Sequence, residues 1–260
     1  WYEFWGDHWL EYAGRIKGPI GKFFEKWAAR LSENIIVISE QAQKKLIINK
    51  CNITKINYVP NWIDYVNIIS LPPKGSFYDV CYFGRLKNHK NVNLIIRAIA
   101  LCKEKGYKLN TKIFGDGPER EGLEKLSKEL NVRSNIEFFG RIEDYNDLLG
   151  YVKSSKICVN VTTKEGGGSI TTLEANACGV PVIAVDNPLG IDKSLILDGF
   201  NGYWIKNATA EALSIKLIDY FNNDINKLPE LRKNAKDWTK SYSSNNLCRR
   251  VEKIYQKIVA

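Results

Sequence analysis

Glu165-Gly-Gly-Gly-Ser-Ile-Thr-Thr-Leu-Glu174, continued by Ala-Asn-Ala-Cys178-Gly-Val-Pro-Val-Ile-Ala-Val185, is the stretch that decides the architecture. A glycine loop runs into a short helical pattern, and an apolar strand pattern follows at 180–185. Glycines admit positive φ and let a ligand reach the backbone with no Cβ in the way. The first amides of a helix are unpaired donors at the positive end of its dipole, so they suit phosphate. The carboxylates of Glu165 and Glu174 can each accept hydrogen bonds from neighbouring hydroxyls. This loop therefore points to a ligand that carries both phosphate and vicinal hydroxyls.

The same alternation of strand and helix extends in both directions. Residues 79–83, 111–114, 135–139, 157–161 and 180–185 read as buried strands, and 34–39 as one more upstream. Between them, 91–103 puts Val92, Ile95, Ile96 and Ile99 on one helical face. Pro118 is expected to open a helix that turns Leu123, Leu126 and Leu130 inward. Strands separated by helices predict right-handed βαβ units, hence an α/β fold: a Rossmann-like parallel sheet with helices on both faces. On that scaffold Gly84-Arg85, Gly115-Asp116-Gly117 and residues 165–169 all fall at the C-terminal ends of strands, where open α/β sheets bind ligands.

Composition narrows the class. The chain has 260 residues and a formal charge of +9, with no apolar run of the ~18 residues needed to span a membrane. It lacks methionine and begins at Trp1, which predicts a processed or truncated chain. Its six cysteines (51, 81, 102, 158, 178 and 248) form no CxxC pair; Cys81 and Cys158 in expected core strands and Cys178 at a helix end read as small buried hydrophobes in a reducing, cytoplasmic setting, with no disulfide or structural zinc. Residues 231–260 hold eight basic and two acidic side chains, a net +6. There Leu247, Val251, Ile254 and Ile258 form a helical stripe beside Arg249, Arg250, Lys253 and Lys257. A solvated face on a packed helix is the first reading of that pattern; contact with an anionic membrane surface, peripheral at the inner face, is the second. No nucleic-acid reading motif accompanies the charge.

The first 64 residues differ in character. Four of the seven tryptophans lie within the first 27 residues, which reads as an interface aromatic cluster, with an interfacial membrane helix as the rival. Pro72-Pro73-Lys74-Gly75 breaks the chain before the main sheet.

Five motifs in order over 34–260 carry a family likeness. They are Ile35-Ile-Val-Ile-Ser39-Glu40, Val59-Pro60-Asn61-Trp62-Ile63-Asp64, Gly84-Arg85-Leu86 with Lys90, Gly115-Asp116-Gly117-Pro118-Glu119, and Glu165 through Pro181. The chain resembles the GT-B fold glycosyltransferases, specifically the retaining, nucleotide-sugar-dependent enzymes of family 4. The resemblance implies that 1–64 is a remnant of an acceptor-side domain with its interdomain segment, 65–235 the donor-binding domain, and 236–260 a C-terminal helix crossing back. It implies transfer of a sugar from a UDP-, GDP- or other nucleoside diphosphate sugar to a glycan or lipid-linked acceptor, with no separate cofactor and no metal. Arg85 and Lys90 would hold the diphosphate, Glu174 the ribose, and Glu165 the hydroxyls of the transferred sugar. Gly167, Gly168, Ser169 and Ile170 would present amides to sugar or phosphate, and Gly115 and Gly117 would shape the cleft wall.

Two departures from the family pattern matter. Eight residues separate Glu165 from Glu174, one more than the family spacing, which would put the first glutamate at Gly166. Either the glycine loop bulges or that glutamate's role has moved. In addition, most of the acceptor-side domain, with its usual active-site histidine, would precede Trp1. His8 reads as packing within the aromatic cluster, and His89 as an exposed loop histidine or a phosphate donor. The expectation is a chain that binds donor without completing catalysis. The rivals are a non-catalytic nucleotide-sugar-binding subunit, and an epimerase or sugar-phosphate synthase on the same scaffold.

Overall fold

The structure, a computed structural model, describes residues 8–259, so Trp1 to Asp7 lie outside the described residues, as does the side chain of His8. The chain opens with α1 (His8–Leu31), β1 (Ile35–Val37), α2 (Glu40–Ile48), β2 (Ile56–Tyr58) and α3 (Tyr65–Ser70). The main unit follows: β3 (Tyr78–Phe83), α4 (Val92–Glu104), β4 (Thr111–Phe114), α5 (Arg120–Glu129), β5 (Ile136–Gly140), α6 (Tyr145–Lys153), β6 (Ser155–Asn160), α7 (Ile170–Ala177), β7 (Val182–Val185), β8 (Gly202–Ile205), α8 (Ala210–Asp219) and α9 (Leu228–Thr239). α10 (Ser244–Val259) closes the described chain. The expected fold class holds, and each expected strand is present within two residues of its expected limits. Pro118 is the exception: it stands in the turn ahead of α5, which starts at Arg120 after Glu119. The Gly115-Asp116-Gly117 turn holds Glu119 by its amide on the Leu86 carbonyl, which delays the first helical turn.

β3–β8 form a six-stranded sheet in the order β5-β4-β3-β6-β7-β8, with every neighbouring pair parallel. Period-two alternation sorts the strand residues to the two faces. Val80, Tyr82, Ile157, Val159, Ile183 and Val185 join α4, α5 and α8 in one core layer. Cys81, Phe83, Cys158, Val182 and Ala184 join α3, α6 and α7 in the other. Cys81, Cys102, Cys158 and Cys178 are buried free thiols, as their apolar settings require; burial pushes the Cys102 thiol up to about 11.

β1 and β2 pair in parallel as a separate two-stranded sheet, with Ile35 opposite Ile56. Ala29 of α1 packs there with Val37, Ala42, Leu46 and Cys51. α1 breaks at Gly14 (φ 73°), and its first part returns so that the Trp9 indole donates to Glu25 at 3.0 Å. Ile16, Ile20, Phe23, Phe24, Trp27 and Leu31 remain exposed along the second part.

α10 joins the two units. Leu247, with Val251 and Ile254, packs on Ile36 and Val59, and Arg250 donates to the Tyr58 carbonyl at 2.9 Å. Leu247, Val251 and Ile254 of the tail's stripe are thus used within the protein, while Ile258, Arg249, Lys253 and Lys257 are exposed. Leu247→Ala should lower stability by about 2–5 kcal/mol, the usual range for emptying a buried leucine site, and thermal unfolding measures it. No helix among the described residues is long and apolar enough to cross a membrane.

Candidate functional site at the sheet switch point

From β3 the chain steps outward to β4 and β5, then returns to the other side of β3 to lay down β6, β7 and β8. The strand order therefore reverses between β3 and β6, which opens a crevice at their C-terminal ends. The loops bordering it are 84–91 after β3 and 161–169 after β6, the two segments in which the sequence placed most of its candidate residues. β4 and its Gly115–Gly117 turn stand on the flank.

Backbone and side-chain bonds lace these loops together. The His89 carbonyl accepts from the Thr162 hydroxyl (3.1 Å) and the Thr163 amide (3.3 Å). Asn91, in the left-handed region at φ 54°, donates from Nδ2 to the Val161 carbonyl (3.0 Å) and to Thr163 Oγ1 (3.1 Å). Asparagine tolerates that conformation better than most residues, which suits it to this bridge. Lys90 is thereby carried over the opposite loop, where its Nζ lies 2.7 and 2.5 Å from the two carboxylate oxygens of Glu165. The Thr162 hydroxyl oxygen, its proton engaged by the His89 carbonyl, lies 3.4 Å from Oε2. The ion pair is only 16% and 13% exposed, and a lysine ammonium so engaged retains one of its three donors.

Arg85 presents the opposite picture. Its guanidinium is exposed, and among the described residues it makes no hydrogen bond or ion pair. The turn beneath it is firm: the Tyr82 hydroxyl donates to the Arg85 carbonyl at 3.0 Å, and the Leu86 amide to Asp116 O at 2.9 Å. Gly115 makes that approach possible. A Cβ at this position, at φ 128°, would stand 1.9 Å from the Gly84 carbonyl oxygen. Gly117 meets Leu86 in the same way. Both line the flank of the Arg85 turn.

The spacing question at Glu165 has a geometric answer. Gly166 (φ 66°) and Gly167 (φ 96°) carry the chain outward, and Glu165 still reaches the crevice and Lys90. The bulge rests on the N-terminal unit: Ser39 Oγ donates to the Gly166 carbonyl at 3.1 Å, and a Cβ on Gly167 would lie 2.4 Å from Ser39 Cβ. Nearby, the amide of Glu40 at the start of α2 donates to Asp192 Oδ2 at 2.7 Å.

One sequence expectation is corrected here. The Gly167 amide is committed to the Gly190 carbonyl at 3.0 Å, in a local parallel bridge, and is not free for a ligand. Gly168, Ser169 and Ile170 differ: among the described residues their amides donate to no protein acceptor. Ser169 caps α7 through its hydroxyl, which accepts from the Thr172 amide at 3.3 Å. Asn160 Nδ2, at the end of β6, lies 3.1 Å from that hydroxyl and 3.2 Å from those of Thr171 and Thr172, fixing the first turn.

Glu174 lies one turn along α7, only 8% exposed. Burial pushes its carboxyl above the ordinary glutamate value of 4.5, and a hydrogen bond from the Tyr145 hydroxyl at the start of α6 partly offsets this. Tyr145, Asn91 and Asn160 were not singled out in the sequence, and Ser39 appeared only within the motif at 35–40. The one local signal was Asp144, a helix cap directly before Tyr145.

Comparison with known proteins agrees with this geometry. An uncharacterized glycosyltransferase of Methanocaldococcus jannaschii is 26% identical over 270 residues, covering 98% of this chain and 67% of that protein. A sucrose-phosphate synthase structure from Thermosynechococcus elongatus superposes with a TM-score of 0.81 at 19% identity, over 99% of this chain and 67% of that one. The structure of Anabaena Alr3699/HepE in complex with UDP superposes at 0.76 and 18% identity, over 88% of this chain and 65% of that one. The chain thus spans about two thirds of the length of these proteins, and its fold is that of the GT-B glycosyltransferases. The family model for glycosyl transferases group 1 matches residues 67–238, and the chain belongs to that family.

Proposed function

We propose that the β3–β6 crevice binds a nucleoside diphosphate sugar, and that the full-length protein transfers its sugar to a glycan or lipid-linked acceptor with retention at the anomeric carbon. The observation that carries this reading is the unpartnered Arg85 guanidinium beside Lys90 and the open amides at the start of α7, all at the switch point. On this reading three kinds of anion donor, carried by the loops that border the switch point, together serve a diphosphate. Uridine is the first candidate base, since HepE is described in complex with UDP.

Arg85 offers a planar fork and Lys90 its remaining N–H to the phosphates. As the bond from the anomeric carbon to the diphosphate oxygen breaks, negative charge grows on the leaving group. Preorganised cations and amides stabilise that charge, usually the largest catalytic contribution. Glu165, held by Lys90, keeps lone pairs for the hydroxyls of the transferred sugar, and Glu174 accepts from the ribose. Gly168, Ser169 and Ile170 supply the amides, while Gly115 and Gly117 hold the wall. On this reading 65–235 is the donor side, with 1–64 and 236–260 facing the acceptor side. Because protein cations supply the charge, chelation of divalent metals should leave donor affinity unchanged, which calorimetry with and without chelator measures.

The test is turnover of the full-length protein with a panel of nucleotide sugars, with the anomeric configuration of the product read by NMR. Retained configuration supports the proposal. An inverted product, or donor binding without turnover on any acceptor tried, contradicts it and favours the non-catalytic binding subunit.

A further inference from the structure

The structure assigns to Tyr145 the role of a positioning residue that holds the Glu174 carboxylate for the ribose of the donor, an inference that rests on the donor-site reading above. Glu174 is buried, yet among the described residues it has no ion-pair partner, and the Tyr145 hydroxyl is the side-chain donor that reaches it. That hydroxyl donates to Oε1. Among the described residues no side chain donates to Oε2. One oxygen is therefore anchored and the other left for a ligand hydroxyl. A buried carboxylate with neither cation nor donor is strongly unfavourable, so the anchor also keeps it charged.

Tyr145 is itself held in place. Asp144 caps α6, accepting from the amides of Asn146 (2.8 Å) and Asp147 (3.2 Å). Asn67 on α3 donates to Asn146 Oδ1 at 2.9 Å, and Lys74 pairs with Asp147. The first turn of α6 is thereby tied on two sides, while the Tyr145 ring stays 48% exposed. An exposed ring with its polar end committed to a buried acid is an arrangement that packing alone does not explain.

The titratable groups around the carboxylate are few. Tyr145 faces it from α6, and the Cys178 thiol from the end of its own helix. Lys153 of α6 and, from α9, Arg232 and Lys236 act on Cys178, and on α3 Tyr65 responds to Asp237. Removing the Tyr145 hydroxyl withdraws the group that lowers the Glu174 pKa, so protonation of Glu174 should move to higher pH.

The experiment titrates the chain and its Tyr145→Phe variant by calorimetry at a series of pH values rising from the ordinary glutamate range. The probes are pyrophosphate and whichever of uridine, guanosine and adenosine diphosphate the wild type binds. We expect the nucleotide to weaken about tenfold in Tyr145→Phe, the loss of one charge-assisted hydrogen bond, with pyrophosphate within about twofold. The acid limb of nucleotide binding should rise in pH in Tyr145→Phe and vanish in Glu174→Gln. Parallel weakening of both probes, tighter nucleotide binding, or an unmoved acid limb would overturn the assignment while leaving the donor site standing. No binding of any nucleotide by the wild type would remove the donor-site reading itself.

Discussion

Arg85→Ala should weaken nucleoside diphosphate binding by about 10- to 150-fold, the effect of losing charge-assisted hydrogen bonds of roughly 1.5–3 kcal/mol. Stability should change little, because the guanidinium is exposed and contributes no ion pair among the described residues. Arg85→Lys should recover only part of the affinity, since a point charge cannot reproduce the planar fork. Lys90→Ala differs in kind. It removes a phosphate donor and also strips Glu165 of its counter-ion in a pair that is 16% and 13% exposed. Its cost to folding should be about 3 kcal/mol, the low end for breaking a buried pair from one side. A variant set in which Arg85→Ala lowers affinity at constant melting temperature, while Lys90→Ala lowers both, would separate the ligand contact from the structural one. Equal affinity in Arg85→Ala and wild type would remove Arg85 from the site.

Gly115→Ala should be among the most damaging small substitutions in the donor unit. The added Cβ would lie 1.9 Å from the Gly84 carbonyl oxygen and 2.9 Å from its carbon, both backbone atoms that cannot swing aside. The residue also sits at φ 128°, where a side chain is strained by about 1–3 kcal/mol before any clash. A total near 3 kcal/mol corresponds to a fall of about 6–12 °C in melting temperature for a domain of this size. The Arg85 turn rests against this contact, so nucleotide affinity should fall with it. Gly122→Ala in α5 is the control: nothing lies within 4 Å of its Cβ, and alanine there should stabilise by up to about 1 kcal/mol. An unchanged melting temperature in Gly115→Ala would mean that the two loops do not press together in solution.

The strands and helices were legible because apolar residues recur at local spacing, and Val80 and Tyr82 separate from Cys81 and Phe83 by simple alternation. That the loops carrying Arg85 and Glu165 fall at strand ends where such sheets bind ligands was legible; that β3 and β6 are direct neighbours was not. It depends on the crossover to the far side of β3, which no local pattern encodes. Lys90 and Glu165 were each picked out, yet their pairing joins residues 75 positions apart and came only with the fold. The Gly167 amide misled for the same reason, since its acceptor, the Gly190 carbonyl, belongs to a later loop. The burial of Glu174 was not legible either, since it is set by the arrival of α6 and Tyr145. The extra residue before it was visible as an anomaly, but the positive φ of Gly166 and Gly167 and the pairing of Glu165 with Lys90 came only with the fold.

The most direct test of a donor site between β3 and β6 is thermal unfolding of this chain with uridine, guanosine and adenosine diphosphates, beside Arg85→Ala. At a ligand concentration about a hundredfold above the dissociation constant, binding should add about 2.7 kcal/mol, or several degrees of melting temperature. A rise with one nucleotide in the wild type, absent in Arg85→Ala, is the result the crevice predicts and names the base. No rise with any of them, or the same rise in both proteins, would place the nucleotide elsewhere and contradict the donor site.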